Sequence, residues 1–183
     1  MSVNSGYPGD SNVSISLYGA NLAPDGNPND TSVGAYVNNM SFLPTSVSNS
    51  EIDGTYSIGC SAEPMINAFT VTTTAGSVIG PDFAIDSPLI EDMQVLNWQI
   101  LSANPNSPYH TTDASVDVYP DPSACNGSVV WETGDPTIVT LPQNVSGSSI
   151  PITAAGQGST TITANFTFGG NVYSISSSLT VGP

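Results

Sequence analysis

The stretch that decides the fold is residues 154–181, AAGQGSTTITANFTFGGNVYSISSSLTV. In its first half, apolar and polar side chains alternate: the apolar ones are Ile162, Ala164, Phe166 and Phe168, and the polar ones are Thr161, Thr163, Asn165 and Thr167. The second half resumes the alternation with the apolar residues Tyr173, Ile175, Leu179 and Val181. A period of two is typical of a half-buried β-strand. The Gly169-Gly170-Asn171 sequence between the runs is typical of a hairpin turn. The stretch therefore predicts two antiparallel strands joined by a tight turn.

The same short alternation recurs along the chain, and no segment keeps a helical period. The alternating segments lie at residues 13–17, 33–37, 52–58, 69–73, 83–85, 93–100, 116–118, 128–131, 138–141 and 150–152. Many short strands separated by turns predict a β-sandwich or barrel. A proline-marked break at residues 85–93, IDSPLIEDM, divides the series. We predict an all-β protein of two tandem immunoglobulin-like sandwiches, residues 1–86 and 87–183, with a single jelly roll as the alternative architecture.

The charge composition excludes several function classes. The 183 residues include 15 Asp and Glu, one His and no Lys or Arg, for a formal net charge of −15. Nucleic-acid binding depends on cations that replace phosphate counterions, and phosphate-handling enzymes use Lys or Arg clamps. Anionic membrane surfaces repel such a chain, and it contains no apolar run of about 20 residues that would span a bilayer. We therefore expect neither nucleic-acid binding nor membrane insertion.

The sequence leaves open whether the protein is exported and whether its two cysteines form a disulfide. The start, MSVNSGYPGD, has neither a basic segment nor an apolar one, so it does not read as a signal peptide. If the protein is exported, we expect a mature fragment with an added Met1. Cys60 and Cys125 either form one disulfide, worth about 4 kcal/mol in the chain-entropy model, or are two buried thiols.

The C-terminal half resembles the group 2 bacterial immunoglobulin-like domain. The resemblance lies in VVWETGDPTIVTL (129–141), ITAAGQGSTTITANF (152–166) and VYSISSSLTV (172–181), and it covers about residues 114–181. The long LPQNVSGSSIP segment (141–151) and the missing basic residues depart from the family pattern. The resemblance implies a sandwich with Trp131 as a core aromatic.

The N-terminal half looks like a TIG-type immunoglobulin-like domain. The similar pieces are VSISLYGANL (13–22), TSVSNSEIDGTYSI (45–58) and NAFTVTTTAGSVIGPDFAI (67–85). The family's opening strand motif is absent ahead of Asn12, so we expect an open sheet edge that a neighbouring chain can fill. Tandem arrays of these two modules look like bacterial secreted or cell-surface proteins, in which they act as spacers and adhesive stalks.

Few residues point to chemistry. A Ser–His–Asp arrangement would use His110 and Asp113, but no nucleophile-elbow motif accompanies them, and an exposed loop histidine is expected. Paired carboxylates for glycoside hydrolysis need two groups across a sugar-sized cleft, and nothing in the sequence marks such a pair. The available carboxylates are Glu51, Asp53, Glu63, Glu91, Asp92 and Glu132. We therefore predict that the protein is not an enzyme.

One turn offers oxygen ligands for calcium. The candidates in PDGNPND are Asp25, Asn27, Asn29 and Asp30. Calcium takes six to eight oxygens from loops, but the EF-hand spacing is missing here. A plain turn is the preferred interpretation, so we expect no cofactor, with calcium as the alternative.

The aromatic residues divide between core and surface. Both tryptophans are more consistent with packing than with sugar stacking: Trp131 is expected in the core, and Trp98, in an apolar strand, inside or between the domains. The tyrosines at 7, 18, 36 and 109 are better candidates for exposed contacts.

The function that the sequence favours is mechanical. We predict a non-enzymatic structural or adhesive segment at the cell surface or outside the cell, which strand addition would assemble into fibres. Its partner would be a protein or glycan at a surface, or another copy. The alternatives are a carbohydrate- or protein-binding module and a phage virion decoration or tail domain.

Overall fold

The computed structural model describes residues 1–24, 26–35, 39–96, 101–142 and 146–183. The chain is built from strands and divides into two compact units, Met1–Pro88 and Leu89–Pro183. Its described helices are two short 3-10 turns, Pro28–Asp30 and Pro122–Cys125. No helix in these ranges is long and apolar enough to cross a bilayer.

The N-terminal unit holds the first half of the strands. They are β1 (Ser5–Gly6), β2 (Val13–Tyr18), β3 (Ser32–Ala35), β4 (Met40–Val47), β5 (Glu51–Ile58), β6 (Met65–Thr73) and β7 (Gly76–Ile85). They form a three-stranded sheet in the order β2-β5-β4 and a four-stranded sheet in the order β1-β7-β6-β3. If the seven strands of this unit are lettered A to G in chain order, the three-stranded sheet has the order B-E-D and the four-stranded sheet the order A-G-F-C.

The C-terminal unit has the same plan except that its first strand belongs to the other sheet. Its strands are β8 (Leu89–Val95), β9 (Thr111–Tyr119), β10 (Ser128–Thr133), β11 (Val139–Thr140), β12 (Ser149–Ala154), β13 (Gly158–Phe168) and β14 (Asn171–Val181). Its sheets, β11-β12-β9-β8 and β10-β13-β14, read D-E-B-A and C-F-G. This is the strand order of a constant-type immunoglobulin domain. The predicted fold class, two tandem immunoglobulin-like sandwiches, is therefore confirmed.

The hairpin at residues 154–181 forms as predicted. β13 and β14 pair without a register shift from Gly158 opposite Val181 to Phe168 opposite Asn171. Gly169 and Gly170 make the turn with φ of 57° and 82°, the left-handed values that a two-residue turn between twisted strands requires. The apolar residues of β13 face the core, and Ile162, Ala164 and Phe166 are fully buried.

Each unit has its own apolar core. In the N-terminal unit the core follows a chain of edge-to-face aromatic rings, with centroids 5.0 Å apart for Tyr56 and Phe83 and 5.4 Å apart for Phe69 and Phe83. In the C-terminal unit Trp131 is buried, and its indole Nε1 donates to the Gly147 carbonyl at 2.9 Å. The prediction of a core role for Trp131 is therefore confirmed. Trp98 lies outside the described residues.

The expectation of a missing first strand is wrong. β1 precedes Asn12 and runs parallel to β7, with Ser5 opposite Ala84 and Gly6 opposite Ile85. Gly6 fits because a Cβ there would stand 2.8 Å from the Tyr56 hydroxyl oxygen. Burial raises the pKa of Tyr56 to about 12. A strand of 2 residues has no room for an apolar alternation, so its sequence carries no strand signal.

A buried hydroxyl in β13 gives a first testable prediction. Thr160 is 8% exposed, and its Oγ1 has no hydrogen-bond partner among the described residues. An unsatisfied buried hydroxyl costs free energy, so the isosteric Thr160→Val should stabilise the C-terminal unit by about 1 kcal/mol. Urea unfolding followed by tryptophan fluorescence measures this, with exposed Thr161→Val as the control. A less stable T160V protein would contradict it.

Candidate functional site

His110 is held by the backbone. Its Nδ1 lies 3.2 Å from the Ser102 carbonyl oxygen, and the ring is half-buried, so it is not the exposed loop histidine that we expected. Asp113 is an exposed residue of β9 opposite Pro151. No hydrogen bond among the described residues joins His110 to Asp113. The structure therefore places the His110 ring against the backbone of the loop before β9 and apart from Asp113.

The carboxylates are spread over the surface of both units. Asp53 lies on the outer face of β5, where it accepts hydrogen bonds from the Ser16 hydroxyl at 2.6 Å and the Ser46 hydroxyl at 2.9 Å. Glu91 stands opposite Asp117 across the β8–β9 pair. Within the described ranges, no three His, Cys, Asp or Glu residues converge as a metal site would require.

The hydrogen bonds that Asp53 accepts from Ser16 and Ser46 predict a pH effect on the stability of the N-terminal unit. The two serine hydroxyls, Ser16 first, hold the pKa of Asp53 below its usual value. Such a group stabilises the fold above its unfolded-state pKa of about 3.9 and loses that contribution as pH falls through the lower folded-state value. Asp53→Asn should therefore lower the free energy of unfolding at pH 7. The stability difference between D53N and the parent should begin to shrink below about pH 4 and disappear as pH falls through the lower folded-state pKa of Asp53.

The measurement is urea unfolding of the N-terminal unit at several pH values, followed by far-UV circular dichroism. Glu63→Gln removes one negative charge from an exposed turn and serves as the control for net charge. A D53N difference that stays constant from pH 7 to about pH 3 would contradict the assignment.

The calcium candidates are engaged in a turn. The Asn27 amide donates to the Asp30 carboxylate at 2.9 Å, and the Asn29 backbone N–H donates to Asn27 Oδ1 at 3.1 Å. These bonds describe a self-contained polar turn. Asp25 lies outside the described residues, so calcium binding by the full set stays a prediction.

The remaining candidates are distributed without convergence. Tyr18 is 61% exposed and Tyr109 is 41% exposed, as expected for contact residues, while Tyr7 is half-buried and Tyr36 lies outside the described residues.

Cys60 follows β5, and Cys125 ends the second 3-10 turn. A disulfide between them stays a prediction.

An ordered polar surface that the sequence analysis did not single out covers the outer face of β13 and β14. We call it the hydroxyl face: Ser159, Thr161, Thr163 and Asn165 of β13 with Ser174, Ser176, Ser178 and Thr180 of β14. Its side chains bond in cross-strand pairs, with Thr163 Oγ1 2.8 Å from Ser176 Oγ and the Ser174 hydroxyl 2.6 Å from Asn165 Oδ1. The sequence signal was present in the polar half of the same alternation. No Asp or Glu occurs from residue 136 to the end, so this face carries no charged side chain.

Each unit also has a parallel pairing between an earlier segment and its last strand or the residue after it. In the N-terminal unit the Ala84 N–H donates to the Asn4 carbonyl and the Asp86 N–H to the Gly6 carbonyl, each at 2.8 Å. In the C-terminal unit Ser102 pairs parallel with Gly182. We call these two parallel pairings the terminal clamps. Each joins an early segment of its unit to the last strand or its end.

No protein-family model matches the sequence, and no curated protein matches it. The group 2 and TIG-type assignments therefore stay predictions. Solved structures with similar folds include a C-terminal 282-residue fragment of intimin in complex with the translocated intimin receptor's intimin-binding domain. That fragment is 11% identical, with a TM-score of 0.35, over 97% of this chain and 61% of the fragment. The chain thus spans less than two thirds of it.

Two further structures are similar at the same low level. Invasin, a bacterial integrin-binding protein, is 13% identical, with a TM-score of 0.41, over 98% of this chain and 38% of its own. Domains 4 and 5 of the S-layer protein SbsC are 12% identical, with a TM-score of 0.40, over 90% of this chain and 74% of theirs. The strand order described above, rather than these likenesses, carries the fold assignment.

Proposed function

We propose that this chain is a non-enzymatic structural and adhesive segment that works outside the cell and bears tensile load. The observation that carries the proposal is the terminal clamp of the N-terminal unit. β1 runs parallel to β7, and its backbone bonds are short and regular. Met1 and Val3, which flank these bonds, pack against the core of the unit.

The clamp suits a load because of its direction. A pull on the chain ends draws β1 toward its N-terminal end and β7 toward its C-terminal end. Parallel neighbours pulled in this way slide past each other, so their hydrogen bonds share the load instead of opening one at a time. The bonds between residues 101–103 and Gly182, at 2.8 Å and 3.0 Å, place a similar parallel contact in the C-terminal unit.

Single-molecule force spectroscopy tests the proposal. The Cys60→Ser, Cys125→Ser double variant should show two unfolding events. Deleting residues 1–6 should lower the rupture force of one event, and deleting residues 182–183 should lower that of the other. A core variant such as Phe69→Leu, which leaves β1 in place, should lower the free energy of unfolding but change the rupture force little. Rupture forces that neither deletion changes would refute the load-bearing role.

We also propose that Cys60 and Cys125 form a disulfide in an oxidising exterior. Closing the chain between these residues limits the unfolded state, an effect of about 4 kcal/mol in the chain-entropy model. Mass spectrometry of an unreduced, alkylated sample should find no modified thiol. Two alkylated cysteines would refute the bond without affecting the terminal-clamp experiment, which uses the double serine variant.

A second candidate function is glycan or protein binding by the N-terminal unit. The outer face of its three-stranded sheet presents Tyr18 beside the Ser16–Asp53–Ser46 row. An exposed ring next to a hydrogen-bonded carboxylate is a combination that suits polar ligands with one apolar face. A glycan array with and without a chelator tests this. Binding that Tyr18→Ala removes supports it, and binding that the chelator removes supports calcium as well.

A further inference from the structure

The outer edge of β14 is regular and open in its first half. Gly182 donates its N–H to the Leu101 carbonyl and accepts from the Ala103 N–H. Backbone groups of alternate residues point to opposite edges of a strand in an antiparallel ladder. Because β14 pairs with β13 without a shift, Val172, Ser174 and Ser176 direct their N–H and C=O groups away from β13. Among the described residues, nothing pairs with them.

The other strand edges of this chain are protected. β4 carries Pro44 with a register shift, and β7 carries Pro81 with a register shift besides its contact with β1. β8 is interrupted between Glu91 and Gln94. Natural proteins block exposed edges with such prolines, bulges and charges to prevent pairing with other chains.

The shorter edges are covered or brief. Ser2 bonds to Ser16 of β2, and Ser146 pairs with Val130 of β10. β3 has 4 residues and β11 has 2. β14 has 11 residues without proline, bulge or charged side chain. Its edge is the exception among the described edges.

Charge indicates what can approach this edge. With a formal net charge of −15, two copies of the chain repel each other over most of their surfaces. The segment from residue 136 to the end has no Asp or Glu. A second copy therefore meets little repulsion at β13 and β14, whereas β10 of the same sheet carries Glu132.

We propose that the outer edge of β14 pairs antiparallel with β14 of a second copy, about a twofold axis at Ser174. In this register Ser174 faces its symmetry mate, and Val172 faces Ser176 of the second copy. Each of these pairs exchanges both N–H···O bonds. On the core side the half-buried Tyr173 and Ile175 meet across the axis. The result is one continuous sheet across both copies, a self-complementary contact of the isologous kind.

Sedimentation velocity of the full chain over a concentration series tests the proposal. We expect a reversible dimer that becomes tighter as salt screens the repulsion. Ser176→Asp, which adds a carboxylate at the edge, should raise the dissociation constant roughly tenfold or more. Thr161→Asp adds the same charge to the same face on the inner strand and should have a much smaller effect. A wild-type chain that stays monomeric up to its solubility limit would overturn the proposal.

A second variant separates pairing from folding. Ser174→Pro removes an N–H that points outward but none that bonds to β13. It should abolish the dimer while the amides of Tyr173 and Ile175 keep their protection from hydrogen exchange. In the wild type, the amides of Val172, Ser174 and Ser176 should gain protection as the concentration rises. A dimer that persists in both edge variants, or one that leaves these amides unprotected, would place the contact elsewhere and refute the proposal. The terminal clamps involve other bonds, so the load-bearing role does not depend on this outcome.

Discussion

Phe166→Ala should destabilise the C-terminal unit by about 3–5 kcal/mol, the usual cost of removing a buried phenylalanine ring. Phe166 is fully buried in β13, and its ring lies 5.9 Å from that of Phe168 and 6.1 Å from that of Tyr173. The substitution removes the transfer free energy of the ring and leaves a cavity between two sheets whose backbones are fixed by ladders. The surrounding side chains can fill only part of that cavity.

Tryptophan fluorescence isolates this effect. Both tryptophans, Trp98 and Trp131, belong to residues 89–183, so their emission follows only the C-terminal unit. The urea midpoint of that emission should fall sharply in F166A. Val130→Ala, at a 46% exposed position on the neighbouring strand β10, should change stability by about 0.5 kcal/mol or less. Equal losses in both variants would show that Phe166 is not a core residue.

Gly54→Val should destabilise the N-terminal unit by roughly 3 kcal/mol. Gly54 lies on the core side of β5, where a Cβ would come within 2.5 Å of both the Leu43 carbonyl oxygen and the Phe42 ring. The carbonyl belongs to the adjacent strand β4, so relief requires a shift of the strand pair and not a rotation of one side chain. Glycine in a strand interior often marks such a close approach.

Gly34→Val is the matched control for this prediction. Gly34 lies in the edge strand β3, and a Cβ there would have no atom within 4 Å. Valine suits an extended edge position better than glycine, so G34V should be neutral or slightly stabilising. Far-UV circular dichroism should show an early unfolding phase in G54V while the tryptophan transition stays unchanged. A G54V protein as stable as G34V would contradict the predicted clash.

Some strands that form were not visible in the local pattern. β4, which spans Met40–Val47, escaped prediction because Pro44 and the register shift beside it break the alternation. β1 escaped because it has 2 residues and depends on β7 for its place. β1 therefore forms through pairing with a distant partner that no short-range signal records, whereas β4 pairs with the next strand, β5, despite its interrupted pattern.

The sequence by itself determined the all-β class, the tandem immunoglobulin-like plan and the core role of Trp131. These properties follow from apolar alternation and turn residues, which act over a few neighbouring residues. Only the tertiary structure decided that β1 pairs with the end of β7, that hydroxyls pair across β13 and β14, and that no described residue pairs with the outer edge of β14 in its first half. The physical reason is that an edge is defined by what lies beside a strand, and its neighbours are set by long-range register rather than by local preference.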